Sequence, residues 1–158
     1  MKKYLIGLFA FAIMLFPMMV NAEVITTVAN PEYDSNKDIF AANGTPIVIE
    51  ERDGSTYATW EGGEEQLLTN NTIVIGGYYN PYTDEVISLE LDSTSITMNS
   101  GRVGVIVGGH AIIGDANYYN NYDKIYVGNI KVDINGGTVS EITAVSSAIS
   151  SLNTAIPS

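Results

Sequence analysis

One pattern of apolar positions and turns occurs twice along the chain. The stretch 96–109 reads ITMNSGRVGVIVGG, and 36 residues later the stretch 132–144 reads VDINGGTVSEITA. When the two stretches are superposed, the apolar positions and the turn coincide while the polar positions differ. The coinciding pairs are Ile96 with Val132, Met98 with Ile134, Asn99 with Asn135, Gly101 with Gly137, Val103 with Val139 and Ile106 with Ile142. Such self-similarity is typical of supersecondary units that stack on one another.

Other apolar runs predict further strands. The runs 46–50 and 55–60 flank Asp53-Gly54, a pair favoured in two-residue turns, and together predict a β-hairpin. Residues 86–91 alternate between apolar and polar side chains, which is the period of a strand. The segment 74–77, VIGG, matches 106–109, IVGG, at an offset of 32 residues, and we interpret it as a partial earlier copy.

This succession of strands, corners and loops predicts an all-β protein whose residues 46–144 form a short right-handed parallel β-helix. An antiparallel β-sandwich is the alternative, because glycine-rich turns are common there too. Val103 and Ile106 break the alternation of the strand, as do Val139 and Ile142, which predicts a shared bend. Val105 is expected to face solvent, since it coincides with Glu141.

The two ends of the chain have a different character. Residues 1–22 combine a basic start, an apolar stretch and small residues before Ala22, as in a secretory signal peptide; a membrane anchor is the alternative. No later apolar run is long enough to span a bilayer. Residues 23–45 read as an N-terminal arm or cap. Residues 145–158 carry apolar residues at helical spacing, which predicts a helical cap or an irregular last coil.

Composition narrows the function. The chain has 18 acidic residues against seven basic ones, with a net charge of −11, so binding to nucleic acid or anionic lipid is not expected. It contains no cysteine, which excludes disulfides and every cysteine-based metal site or nucleophile. A secreted bacterial protein without disulfides fits these features.

The segments 95–104, SITMNSGRVG, and 134–139, INGGTV, resemble the glycine-rich "ITINGGTV…GG" repeats of secreted bacterial β-helix and adhesin-like proteins. The resemblance covers about residues 56–144. It implies a β-helix fold and a role at an extracellular surface. It brings no catalytic motif with it.

Two loops share the sequence YYNxY, at 78–82 and at 118–122, and each follows a strand that ends in a Gly-Gly pair. Exposed tyrosine and asparagine suit sugar and protein surfaces, because a flat apolar ring carries a hydrogen-bonding tip. The predicted ligand-binding residues are Tyr78, Tyr79, Tyr82, Tyr118, Tyr119 and Tyr122. The alternative is that these tyrosines pack on the flank of the β-helix.

The segment 115–123 is rich in hard oxygen ligands, and Asp115, Asn117 and Asp123 are the candidate calcium ligands. Local turn formation explains the same residues. His110 is the only histidine and is expected at the surface, without a catalytic partner.

The sequence therefore predicts a secreted, non-enzymatic, adhesin-like binding protein whose partner is a glycan or a surface protein. One alternative is a structural unit whose open coil ends self-associate. Another is a polysaccharide-active β-helix enzyme that uses paired carboxylates.

Overall fold

The computed structural model describes residues 23–25, 28–79, 87–113, 122–143 and 147–149 of the 158-residue chain. The predicted signal peptide, residues 1–22, lies outside this part. The described residues form strands, turns and bends without any helix, so the prediction of an all-β protein is confirmed. Accordingly, they contain no helix of the length and apolarity needed to cross a membrane. The strands are β1 (Glu23–Ile25), β2 (Glu32–Asp34), β3 (Ile39–Ala41), β4 (Ile47–Arg52), β5 (Ser55–Trp60), β6 (Glu65–Leu68), β7 (Ile73–Ile75), β8 (Ile87–Met98), β9 (Arg102–Val107), β10 (Ala111–Ile113), β11 (Tyr122–Ile134), β12 (Thr138–Thr143) and β13 (Ser147–Ile149).

The strands form two mixed sheets and one small parallel sheet. The six-stranded sheet has the order β1-β8-β4-β5-β6, with β11 on the other edge of β8. The five-stranded sheet has the order β12-β9-β7-β3-β2, and β10 pairs with β13. Antiparallel pairing joins β2 to β3 and β4 to β5 to β6, whereas the other strand pairs are parallel.

The register of several parallel pairs follows the offsets seen in the sequence. β11 lies on β8 with Val132 opposite Ile96, and β12 lies on β9 with Ile142 opposite Ile106. These are the pairs that the superposition of the two stretches brings together. β7 lies on β9 with Val74 opposite Ile106, which is the offset of 32 residues.

The core lies between the inner faces of the two mixed sheets. Because side chains alternate across each strand, successive strands contribute columns of inward residues. Phe40, Val74 and Ile106 form one such column and are fully buried. The complete cluster is Phe40, Ala42, Ile47, Ile49, Ala58, Leu68, Val74, Ile96, Met98, Val103 and Ile106.

A second apolar cluster covers the outer face of the five-stranded sheet. It contains Ile39, Ile73, Ile75, Val107 and Ala111, and Val105 packs against it. Val105 is therefore half-buried. Val105 does point away from the core that holds Val103 and Ile106, as predicted, but the outer apolar cluster covers part of it, so it is not fully exposed to solvent.

The hairpin predicted at Asp53-Gly54 is confirmed. β4 pairs antiparallel with β5, and the two turn residues have φ angles of 53° and 78°. Positive φ at both central residues is the geometry that matches the right-handed twist of the strands.

The pairs Gly76-Gly77 and Gly108-Gly109 lie where one corner of the chain closely approaches the next. A Cβ on Gly76 would lie 2.4 Å from the carbonyl oxygen of Gly108, a distance that real Cβ atoms do not reach. The amide of Gly76 donates to Val107 O at 2.8 Å, and the amide of Gly77 donates to Gly109 O at 2.9 Å. Glycine is thus required by the close approach of one backbone to the next.

The prediction of a helical cap within 145–158 is wrong for the residues that the structure describes there. Ser147–Ile149 forms β13, which pairs in parallel with β10, Ala111 lying opposite Ser147. This pair also has an offset of 36 residues, so backbone pairing with the preceding level outweighs the helical spacing of the apolar residues. The remaining residues of 145–158 lie outside the described part.

Ile106→Ala tests the core directly, because Ile106 belongs to the inward column with Phe40 and Val74. We expect the substitution to lower the free energy of unfolding by about 2–5 kcal/mol, because it leaves a cavity in the core cluster beside the fully buried Val74. Leu67→Ala removes the same number of carbons from a side chain that is 52% exposed, and should change stability by about 0.5 kcal/mol or less. Urea denaturation of both variants measures the difference; equal losses would contradict the assignment of the column.

Candidate functional site

The first predicted tyrosine is not at the surface. Tyr78 is 7% exposed and packs with Leu89 and Leu91. Its ring stacks on the imidazole of His110, with centroids 5.5 Å apart and planes inclined by 11°. Tyr78 is therefore buried and not exposed as the prediction of a binding loop expects.

Tyr79 lies on the flank of the five-stranded sheet. Its ring packs against the outer apolar cluster, and its backbone forms an isolated parallel bridge with Ala111. Lys37 Nζ donates a hydrogen bond of 2.8 Å to the hydroxyl of Tyr79 and lies 5.4 Å from the ring centroid. The half-buried Tyr79 therefore keeps part of its surface accessible, with a cation beside it.

The other predicted site residues fall largely beyond the described part of the chain. Tyr82, Tyr118, Tyr119, Asp115 and Asn117 lie outside the described residues. For Tyr122 and Asp123 the structure describes the backbone only: both lie at the start of β11, where the register with β8 shifts between Tyr122 and Lys124. Elsewhere in the described ranges, no group of three or more His, Cys, Asp or Glu residues is arranged to hold a metal ion.

His110 is buried, with 1% of its surface exposed, so the prediction of a surface histidine is wrong. Nδ1 accepts a hydrogen bond of 2.9 Å from the amide of Tyr78, and Nε2 lies 3.3 Å from the carbonyl oxygen of Tyr126. These contacts assign the proton to Nε2, which donates to Tyr126 O. The ring, which lies just before β10, thus links the segment that follows β7 to β11.

Burial lowers the pKa of His110 from 6.5 to about 4, although backbone hydrogen bonds with Tyr126 and Leu89 act in the opposite direction. A proton on Nδ1 would also point at the amide hydrogen of Tyr78. The imidazole is consequently neutral at physiological pH, and both nitrogens are engaged by the backbone. It is a structural residue and not an available base.

A second polar cluster surrounds Asp38. Its carboxylate accepts hydrogen bonds from Tyr33 Oη at 2.8 Å, from Thr72 Oγ1 at 2.6 Å and from Thr69 Oγ1. Partial burial acts to raise the pKa of Asp38, but the three hydrogen bonds outweigh it and lower the pKa. The same carboxylate contributes to the raised pKa of Tyr33, for which burial is the larger cause. This cluster holds the loop 69–72 against the start of β3.

Sequence reasoning missed this cluster, although a signal for it exists. Asp38 precedes the strand IFA and Thr72 precedes the strand IVI, and the two strands pair in parallel at an offset of 34 residues. Comparison of these two segments as copies of one unit would have brought Asp38 beside Thr72.

The loop that Asp38 holds forms one wall of a groove. The groove lies at the end of the β5–β6 pair, has a volume of about 360 Å³ and is open to solvent. It is lined by Gly54, Ser55, Thr56, Leu67, Leu68, Thr69, Asn70 and Asn71. The lining offers hydroxyl groups, amide groups and the exposed side chain of Leu67, and includes no charged residue.

Comparison with known proteins found no matching family model, no curated protein of significant similarity and no solved structure of significant similarity.

Titration of His110 tests its buried contacts. Because the unfolded chain binds the proton near pH 6.5 and the folded chain only near pH 4, the unfolded state binds more protons between these values, and stability falls as the pH falls. From pH 7 to pH 5 we expect a loss of about 2 kcal/mol in the free energy of unfolding. As the only histidine, His110 gives a single imidazole NMR signal, whose midpoint should lie near 4. A midpoint at 6.5 would contradict the buried geometry.

Replacement of the central carboxylate tests the Asp38 cluster. Asp38→Asn should lower the free energy of unfolding by about 1–3 kcal/mol at pH 7, since an amide accepts fewer of the three hydroxyl hydrogen bonds. The stability from this carboxylate is present above its unfolded pKa of 3.8 and is lost as the pH falls through the lowered folded pKa, so the deficit should shrink in acid. Asp53→Asn is the matched control, because asparagine also suits the first position of that turn. A deficit that is independent of pH would exclude the carboxylate as its cause.

Proposed function

We propose that this protein is an extracellular, non-enzymatic, adhesin-like binding protein that holds an uncharged glycan on a short right-handed parallel β-helix. The observation that carries the binding proposal is the uncharged, hydroxyl- and amide-lined groove beside the loop 69–71. Extracellular placement rests on the signal-like residues 1–22 and on the absence of cysteine.

The parallel ladders support the β-helix over the sandwich. A sandwich is built mainly from antiparallel pairs. In this chain antiparallel pairs occur between β2 and β3 and within β4–β6, while the pairs at offsets of 32, 34 and 36 residues are parallel. Crossovers between parallel strands are right-handed in nearly all proteins, which supports the right-handed form.

The chemistry of the groove supports a sugar as ligand. Sugars are bound by hydroxyl and amide groups that exchange hydrogen bonds with ring hydroxyls, together with an apolar surface against the ring. Asn70 and Asn71 are exposed and supply amides, Ser55 supplies a hydroxyl, and Leu67 supplies the apolar surface. The volume of about 360 Å³ is at the lower end of the range for small-molecule sites.

Charge supports an uncharged ligand. The net charge of −11 repels acidic polysaccharides, and the groove itself has no Lys or Arg to offset this repulsion. The Asp38 cluster supports the site from behind, because Thr69 belongs both to the cluster and to the groove wall.

A glycan array followed by titration of the best ligand tests the proposal. Asn70→Ala should weaken binding about five- to tenfold, which corresponds to the loss of about one hydrogen bond. Asn129→Ala removes an exposed asparagine from β11, at the other edge of the same sheet, and should leave the affinity unchanged.

Tyr79→Ala distinguishes binding in the groove from binding at Tyr79, on the flank of the five-stranded sheet. Affinity that falls with Tyr79→Ala and not with Asn70→Ala would move the binding site to the flank. Failure of uncharged glycans to bind at all would overturn the proposal.

A further inference from the structure

The two edges of the six-stranded sheet differ in how they end. At one edge the antiparallel strands β5 and β6 follow β4, and in the neighbouring sheet β2 pairs antiparallel with β3. At the other edges lie β11 and β12, each with one partner strand among the described residues. The stack therefore has a capped end and an open end, the open end being the edge formed by β11 and β12.

Apolar side chains of the inner columns reach solvent at the open end. Ile134 continues the column of Met98 and is 40% exposed, whereas Met98 is fully buried. Ile142 continues the column of Ile106 and is 51% exposed, whereas Ile106 is fully buried. These residues face the core, and no further strand among the described residues covers them.

The C-terminal segment of β11 is complementary to itself. It reads Ile130-Lys131-Val132-Asp133-Ile134. Ile130, Val132 and Ile134 lie opposite the buried Thr94, Ile96 and Met98 and so share the inward face. Lys131 and Asp133 occupy the outward face, where they form an ion pair of 2.9 Å.

From this pattern we infer that β11 pairs antiparallel with β11 of a second copy of the chain, across a two-fold axis at Val132. In that register each isoleucine meets the other isoleucine of the partner strand, Val132 meets its own equivalent, and Lys131 meets Asp133 of the partner subunit. Opposite charges placed directly across a strand pair stabilise it, and like charges destabilise it. Lys131 and Asp133 at the edge of β11 therefore disfavour pairing with other strands but match the opposite charges of a second, antiparallel β11.

The geometry also favours a closed dimer over a filament. A two-fold axis across the open end joins the two open ends to each other, so Ile134 and Ile142 of both copies are covered together. The capped ends then point outwards, and their antiparallel strands offer no parallel ladder for continuation. The dimer leaves the groove at β5–β6 on the far edge of each copy, so this inference does not depend on glycan binding.

Sedimentation of the full chain as purified, with its N-terminus fixed by mass spectrometry, measures the dimer between about 1 and about 100 µM. Lys131→Asp and Asp133→Lys should each weaken dimerisation at least tenfold, because each places like charges opposite one another. An equimolar mixture of the two variants should restore the dimer, since the strands then carry opposite charges. Restoration in the mixture cannot come from the ion pair within one chain, which is absent in both variants.

Glu51→Lys is the matched control, because it changes an exposed acidic residue at the far end of β4 and should leave the dimer unaffected. A wild-type chain that stays monomeric at the highest concentration would overturn the inference. So would a dimer that forms equally in each single variant, or one that forms only after deletion of residues 150–158, which would identify the chain's own terminus as the occupant of the edge.

Discussion

Stacking in register is the constraint on which this structure depends. Neighbouring strands lie about 4.8 Å apart, so each residue in a parallel ladder lies against the residue at the same position in the next strand. A large apolar side chain fills such a column well, as Phe40, Val74 and Ile106 do. A corner admits less: Gly76 lies so close to Gly108 that the second backbone leaves no room for a side chain. The Gly-Gly pairs at 76–77 and 108–109 are thus explained by the short distance between the two backbones.

The same constraint explains the polar columns. Asn135 donates to the side chain of Asn99 at 3.0 Å, and Asn99 donates to Glu50 at 3.3 Å, so polar residues at one corner satisfy one another from level to level. Asp38 stands above Thr72 at the start of two paired strands and uses that position to bind its hydroxyl. His110 performs the equivalent task inside the protein, where its two ring nitrogens join the segment that follows β7 to β11. Buried polar groups require partners, and here the neighbouring levels provide them.

A feature of the fold could be predicted from the sequence where it has a local signature or occurs in the repeated pattern. The offset of 36 residues, the hairpin at Asp53-Gly54 and the inward residues were accessible because each has a local or repeated signature. The burial of Tyr78 and His110 was not predicted, although the offset of 32 residues that pairs Val74 with Ile106 also brings Tyr78 beside His110 when it is continued past the two Gly-Gly pairs. The helical spacing in 145–158 misled for the opposite reason: a local periodicity was overridden at Ser147–Ile149 by pairing with β10. The groove was missed because its wall depends on Asp38, which is distant in sequence from Thr69.

The ends of the stack follow from the same physics. A ladder must stop somewhere, and each end leaves backbone groups and an apolar column to be covered. At the end near β4 the chain turns back on itself, and the antiparallel strands β5 and β6 cover the column while leaving a groove where they meet the loop 69–71. At the end near β11 the column stops, among the described residues, at Ile134, and the outward Lys131 and Asp133 are complementary to the same pair in a reversed copy of the strand. The two surfaces proposed to bind partners are therefore the two places where the repeat ends. A surface within the ladder has its shape fixed by folding, whereas a surface at an end is shaped by residues that the repeat does not constrain.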